Sequence, residues 1–465
     1  MGSGIFKACD VRGVYPGEID ERSAYRIGRA VGTILGTGTV VVGGDVRLST
    51  ASLKAAIVKG LAESGCAVAD IGIVPTPAFY FAKRRLGTRG GVMVTASHNP
   101  PEYNGFKIVL GDLPITEEEL ARIRDLVAAG QFATGKGTVT ENDLLPEYES
   151  WIVEAGAKLT HGMERIPKVA IDCGNGCYSQ VAPRVFERLS IPFVPLFCEA
   201  DGAFPNRSPD SAVAANLTAL CEVVVREGAD LGVAFDGDGD RASFVDERGM
   251  LLPADQAIAT VARYMPGGLR AGDKVVLDQK CSAAVVDVVS ELGAVPIMEK
   301  SGHTFIKTRM ITENARFGGE ISGHLFYREL AGGDDGLYSA ILMTGIVGRR
   351  GSLSKLAGEL PSYATTPEIR IRIEADPAVL EAIANAFPPE RVSRLDGVRV
   401  QFDDGWGLAR MSVTEPMMTL RFEGRDNKAL RRIMQEFLAP VPELRGRVES
   451  QGSKVESRGS EGVED

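Results

Sequence analysis

Histidine is scarce in this chain, with four in 465 residues, and tryptophan scarcer still, with two. No stretch approaches the roughly 20 apolar residues of a membrane-crossing helix, and no apolar run follows a basic start. A spanning segment is therefore not expected, and a cytoplasmic location is. Phe6 stands where a myristoylation signal needs Ser or Thr, so lipidation is not expected either. Basic residues are the minority: 52 Lys and Arg face 62 Asp and Glu, a formal net charge of −10. That leaves no surplus for a nucleic-acid-binding stripe, although a few local cations still suffice for an anionic ligand. The seven cysteines are odd in number and scattered. Cys173 and Cys177 have no histidine nearby and no second pair, which argues against a zinc site and for reduced thiols.

At this length a single hydrophobic core is not expected, and three or four domains are. Up to about residue 360, short apolar runs alternate with helical stretches, the signature of α/β layers. Strands are expected at Val40–Val42, Val68–Ile73, Gly91–Thr95, Leu231–Phe235, Ala242–Val245, Val275–Leu277 and Val295–Met298, with a helix from about Thr50 to Ser64. Beyond Leu360-Pro361 the texture changes. Segments 369–373, 398–402 and 418–422 alternate apolar and polar residues, with helices near 377–387 and 428–437, predicting an antiparallel α+β module.

Residues 236–241 read DGDGDR. Three carboxylates at alternate positions, separated only by glycine, turn toward one point and repel unless a cation sits there. All-oxygen donors suit Mg²⁺ or Ca²⁺. An EF-hand is the rival, with Glu247 at its twelfth position. However, Arg241 stands where such a loop needs glycine, and the flanks read as strands. A second segment, TASHNP at 95–100, offers Ser97 and His98 in a turn; no G-x-S-x-G elbow surrounds the serine. Three of the four histidines, His98, His303 and His324, lie in glycine-flanked polar loops, leaving His161 as the surface residue. In GGEISGH, Glu320, Ser322 and His324 fall at alternate positions and suit vicinal sugar hydroxyls, a helix cap being the plainer alternative. In RMSVTEP, Arg410, Ser412 and Thr414 suit a phosphate, an exposed strand turn being the alternative.

Taken jointly, FKACDVRG, TASHNPPEYNGFK, DGDGDR, KSGHTFIK, GGEISGH with DDGLYSA after it, and RMSVTEP resemble the α-D-phosphohexomutases, most closely the bacterial phosphomannomutase/phosphoglucomutase branch. The resemblance implies three related α/β mixed-sheet domains and a C-terminal α+β domain of the TATA-binding-protein-like type, around a central cleft. Expected boundaries are 1–143, 144–248, 249–361 and 362–445, with a disordered tail at 446–465. It also implies a phosphoryl group carried on Ser97 and Mg²⁺ held by Ser97, Asp236, Asp238 and Asp240. A hexose 1,6-bisphosphate would be the activator and intermediate. By the same resemblance, acid/base work falls to Lys107, His324 or His98, with Arg12 stabilising transferred charge and Arg241 shaping the metal loop. Lys280, Gly302 and His303 join Glu320, Ser322, His324, Arg410, Ser412 and Thr414 as substrate contacts. The partner is a phosphosugar, and the protein a monomer or weak homo-oligomer. Cys9 stands where the family commonly has Tyr, and Val413 where it often has Asn or Gly. A phosphoglucosamine mutase, a metal-dependent sugar phosphatase and a non-enzymatic sugar-phosphate or Ca²⁺ binder are the alternative functions.

Overall fold

The computed structural model describes residues 3–373, 377–411 and 417–448. Three mixed sheets and one antiparallel sheet account for its strands. The first runs in the order Val11–Val14, Tyr103–Val109, Gly90–Val94, Thr39–Gly44, Ala67–Ile73, Val139–Glu141. The second runs Leu251–Leu252, Ala242–Asp246, Leu231–Phe235, Val169–Asp172, Phe193–Leu196. The third runs Val295–Glu299, Lys274–Asp278, Phe317–Gly319, Leu325–Tyr327, Gly333–Asp334.

One scheme recurs in all three. A buried strand pairs in parallel with an earlier one, then turns back through a loop into an antiparallel neighbour. Gly90–Val94 and Leu231–Phe235 are buried at every residue, as strands covered on both faces must be. The three turn-back loops are 95–102, 236–241 and 320–324, and each begins at the carboxyl end of its parallel strand, where open α/β sheets place their ligands. TASHNP, DGDGDR and EISGH are these loops. The strand flanks of DGDGDR remove the EF-hand alternative, since that motif needs helices on both sides.

Under the first sheet, helices Glu21–Leu35 and Thr50–Glu63 pack almost backbone to backbone. A Cβ on Gly28 would lie 2.5 Å from the Ile57 carbonyl oxygen, and one on Gly60 would press on that of Tyr25. Gly60→Val should therefore separate two helices that carry Ile27, Val31, Leu53 and Ile57 into the core. Urea unfolding should show a loss of about 1–3 kcal/mol, the usual range for overpacking.

The C-terminal sheet is ordered Ala364–Thr365, Met417–Gly424, Gly405–Met411, Val398–Phe402, Val392–Ser393, with Ile369–Arg372 also pairing to Met417–Gly424. Helices Pro377–Asn385 and Asn427–Leu438 feed the same core through Ile383, Ile433 and Phe437. This is the antiparallel α+β module expected from the alternating pattern. Among the strands that pattern did not disclose are Tyr103–Val109 and Gly405–Met411, each of which contains glycine. The expected tail begins too early. Residues 442–448 are helical, and Val448 is buried in the core with Leu444, so burial holds the chain past Gly446. The rest of that segment, 449–465, lies outside the described residues.

Candidate active site

Ser97 lies in the first turn-back loop with φ 50°, a left-handed conformation that costs a non-glycine residue of the order of 1–3 kcal/mol. The surrounding groups over-determine it. Its amide donates to Thr95 Oγ1 at 2.9 Å, and the buried Arg47 guanidinium donates to the carbonyls of Ser97 at 2.8 Å, Asn99 at 2.6 Å and Tyr103 at 3.0 Å. Asp45 holds Arg47 in turn at 3.1 Å. Arg47 was not singled out from the sequence; GGDVR gave only the signal of a charged pair following a buried strand.

So held, the Ser97 hydroxyl donates to Asp236 Oδ2 at 2.8 Å, with His98 Nδ1 at 3.4 Å and Arg241 Nη2 at 3.3 Å. Asp236, Asp238 and Asp240 are buried, and their ligand atoms lie within 4.8 Å of one another. Arg241 Nε donates to Asp236 Oδ2 at 3.0 Å. Thr76 Oγ1 donates to Asp238 Oδ2 at 2.6 Å and Thr95 Oγ1 at 3.2 Å. Lys107 Nζ enters the cage directly, donating to Asp238 at 2.7 Å and also to Asp240. The cation that three clustered acids require is thus supplied in part by the protein itself.

It is not supplied in full. Three carboxylates accept hydrogen bonds from two cations, Lys107 and Arg241, and Asp238 Oδ1 and Asp240 Oδ1 are buried without a hydrogen-bond partner among the described residues. Buried carboxylate oxygens left this way are costly. Two orphaned hard donors beside a surplus negative charge fit a divalent cation bound by oxygen.

The protonation states follow from the same crowding. Burial opposes charge on Lys107, but Asp238 and Asp240 outweigh it and hold the ammonium well above the usual lysine range. Burial, then repulsion from Asp238, pushes Asp240 up to about 7 despite Lys107. Burial and the neighbouring Arg241 and Arg12 keep His98 well below the usual histidine range.

From the third loop, His324 comes within 3.8 Å of Asp240 and accepts its orientation from Asp334, Nδ1 to Oδ2 at 2.6 Å. Burial opposes its charge, yet Asp240 and Asp334 raise it from 6.5 to about 9. A folded-state value above the unfolded one means that His324 stabilises the metal-free fold fully below about pH 6.5, and that this contribution is lost as pH rises through about 9. Imidazole chemical shifts followed against pH in EDTA should give a midpoint near 9; a midpoint near 6.5 would show the Asp334 contact to be absent.

His303 stacks on His324 at 5.8 Å, and burial, then Lys107, holds it below the usual range. Gly302, with φ 132°, precedes it as the N-cap of helix His303–Thr312. Glu320 is buried, and Ser322 Oγ has no hydrogen-bond partner among the described residues. Arg12 lies at the Ser97 loop, donating to Asn99 Oδ1 and Asp10 Oδ2, each at 2.5 Å. The structure therefore brings Ser97, His98, Lys107, Arg12, the three aspartates, Arg241, His303 and His324 into one neighbourhood. Lys280 and Arg410 belong to the second compact unit, where Lys280 Nζ is 3.8 Å from Asp278 and Arg410 Nε 3.2 Å from Asp396. Ser412, Val413 and Thr414 lie outside the described residues. Sequence reasoning missed Thr76, Thr95 and Asp334. Only Asp334, in DDGLYSA, carried a signal, as an acid soon after the histidine loop.

Among the described residues no helix is long and apolar enough to cross a membrane. Models of phosphoglucomutase/phosphomannomutase α/β/α domains I, II and III match residues 3–134, 149–249 and 253–363, and that of the C-terminal domain matches 368–439. The chain is 39% identical over 446 residues to a phosphomannomutase/phosphoglucomutase of Pseudomonas aeruginosa, covering 94% of this chain and 95% of that one. It is 36% identical over 449 residues to a phosphoglucomutase of Neisseria meningitidis, covering 94% and 96%. A phosphoglucomutase/phosphomannomutase family protein of Burkholderia thailandensis has a solved structure that superposes with a TM-score of 0.86 at 35% identity, covering 95% of this chain and 97% of that one. Four domain models in order, full-length relatives and a serine seated on an acidic cage agree: the chain belongs to the phosphoglucomutase/phosphomannomutase family.

Proposed function

We propose that this protein is a mutase interconverting hexose 1-phosphate and hexose 6-phosphate, of mannose, glucose or both, by way of a phosphorylated Ser97 and a hexose 1,6-bisphosphate. The observation that carries the reading is the 2.8 Å contact of the Ser97 hydroxyl with Asp236, at the edge of a cage with two orphaned carboxylate oxygens. The names of the full-length relatives support it. Asp236, Asp238 and Asp240, with an oxygen on Ser97, would hold Mg²⁺, which when bound neutralises charge on a phosphoryl group in transfer.

The chain's own groups divide the remaining work. Arg241, 3.3 Å from Ser97 Oγ, balances the added charge of a phosphoserine, and Arg12 attracts the phosphate that approaches or leaves. His98, kept neutral, is suited to accept a proton beside Ser97. Lys107 and His324, kept charged, are suited to donate one to an alkoxide. Glu320, Ser322 and His303 offer hydrogen bonds to sugar hydroxyls. By the family resemblance, Arg410, Ser412 and Thr414 would grip the phosphate that is not transferred, and Lys280 and Gly302 are further substrate contacts. A grip indifferent to which end of the sugar it holds lets the bisphosphate return in the opposite orientation.

Intact-mass analysis tests this directly. Incubation with glucose 1,6-bisphosphate should add one phosphoryl group, which peptide mapping should place on Ser97. Glucose 1-phosphate or mannose 1-phosphate should then chase it off as the 6-phosphate appears. Release of inorganic phosphate without isomerised sugar would make the protein a phosphatase. Faster turnover of glucosamine 1-phosphate would make it a phosphoglucosamine mutase.

A further inference from the structure

Two thiols outside this machinery lie within bonding reach. Cys173 directly follows strand Val169–Asp172, and Cys198 lies two residues beyond its parallel partner, Phe193–Leu196. Backbone bonds from Cys173 N to Leu196 O at 3.0 Å and from Asn175 N to Phe197 O at 2.9 Å clamp the two segments side by side. The sulfurs are 3.3 Å apart, and both are free thiols. A disulfide asks the sulfurs to close by only about 1.3 Å, which χ rotation in paired neighbours can supply. Access is one-sided, because Cys198 is half-buried and Cys173 is 1% exposed. So is reactivity: the hydrogen bond shared with Cys173 lowers the Cys198 thiol, while burial raises that of Cys173.

The loop that starts at Cys173 underlies the metal loop. Cys177 N donates to Gly237 O at 3.0 Å, and Arg207 joins Asp172 Oδ2 at 2.7 Å to Phe235 O at 2.7 Å. Tyr178 packs its ring where a Cβ on Gly239 would lie, and Cys173 Sγ donates to the Tyr178 carbonyl at 3.5 Å. Drawing Cys173 toward Cys198 gives up that last bond.

We propose that Cys173 and Cys198 are a peroxide-responsive dithiol that closes to a disulfide, and that closure loosens the support of the DGDGDR loop. The Cys198 thiolate attacks a hydroperoxide oxygen, breaking the O–O bond and giving a sulfenic acid and hydroxide (or alkoxide). The Cys173 sulfur then attacks the sulfenic sulfur; its proton and the departing hydroxyl leave as water. One peroxide is reduced as two thiols are oxidised.

The test treats the reduced full-length protein with hydrogen peroxide, blocks remaining thiols and maps peptides without reduction. A Cys173–Cys198 linked peptide is expected, absent in Cys198→Ser and replaced in Cys173→Ser by sulfinic acid at Cys198. Recovery of both cysteines in alkylated form would overturn the chemistry, and this readout does not depend on the mutase reading. The coupling rests on that reading. Peroxide should lower mutase turnover several-fold at limiting Mg²⁺, dithiothreitol should restore it, and Cys198→Ser should be insensitive. Equal inhibition of Cys198→Ser, with Cys9 oxidised instead, would overturn the coupling.

Discussion

Replacing Ser97 by alanine should lower mutase turnover by about 10³-fold or more, the scale on which loss of a nucleophile registers. Among the described residues Ser97 Oγ is the one neutral hydroxyl seated against Asp236, and His98, 3.4 Å away, cannot take its place without losing its own role. The cost to stability is much smaller. Alanine accepts the left-handed backbone no worse than serine does, since neither has glycine's freedom, and Arg47 still ties the loop through its carbonyls. What is lost is a hydrogen bond to a carboxylate, about 1.5–3 kcal/mol, with the longer contacts to Arg241 and His98. The checks are a coupled assay of glucose 6-phosphate formation, intact mass after the bisphosphate, and urea unfolding. A variant that is folded, remains unphosphorylated and still turns over at the parent rate would end the phosphoserine reading.

The contrast between what the sequence disclosed and what it hid follows from distance along the chain. Asp236, Asp238 and Asp240 announce themselves because their geometry is local: alternate positions in one loop share a direction. Ser97 and His324 were legible as unusual side chains in glycine-flanked turns. The groups that make the cage work are not local. Thr95 reaches Asp238 across 143 residues and Thr76 across 162, and neither sits in a pattern that singles out a threonine. Asp334 pairs with His324 only because the third sheet lays Gly333–Asp334 beside Leu325–Tyr327. In the fold, Leu231–Phe235 was read to the residue because apolar residues carry it on both sides of Gly232, whereas Gly105, Gly405 and Gly407 helped to hide Tyr103–Val109 and Gly405–Met411. Glycine carries no side chain to mark a face, yet Gly105 is there because Val11 and Thr95 carbonyls leave no room for a Cβ. Close approach, not polarity, broke the pattern.

Lys107→Met should strongly destabilise the metal-free protein. Lys107 was legible as a proton donor or acceptor; the structure adds that it is the counter-charge bridging Asp238 and Asp240. Methionine keeps the volume and removes the ammonium, leaving two buried carboxylates facing each other, which costs about 3–5 kcal/mol. Thr76, Thr95, Arg241 and His324 soften this without cancelling it, because the threonines carry no charge, Arg241 is committed to Asp236 and His324 to Asp334. Unfolding in EDTA should show that loss. Adding Mg²⁺ should then recover more stability in the variant than in the parent. In the parent an incoming cation shares the carboxylates of Asp238 and Asp240 with the ammonium; in the variant it has no ammonium to share them with. Binding at 100 times the dissociation constant returns about 2.7 kcal/mol, so a tighter site returns more at equal Mg²⁺. Turnover should nevertheless stay low, since one of the two proton donors has gone with the charge. If the variant is as stable as the parent in EDTA, or gains less from Mg²⁺, Lys107 and the metal do not share the cage, and the surplus negative charge must be answered elsewhere.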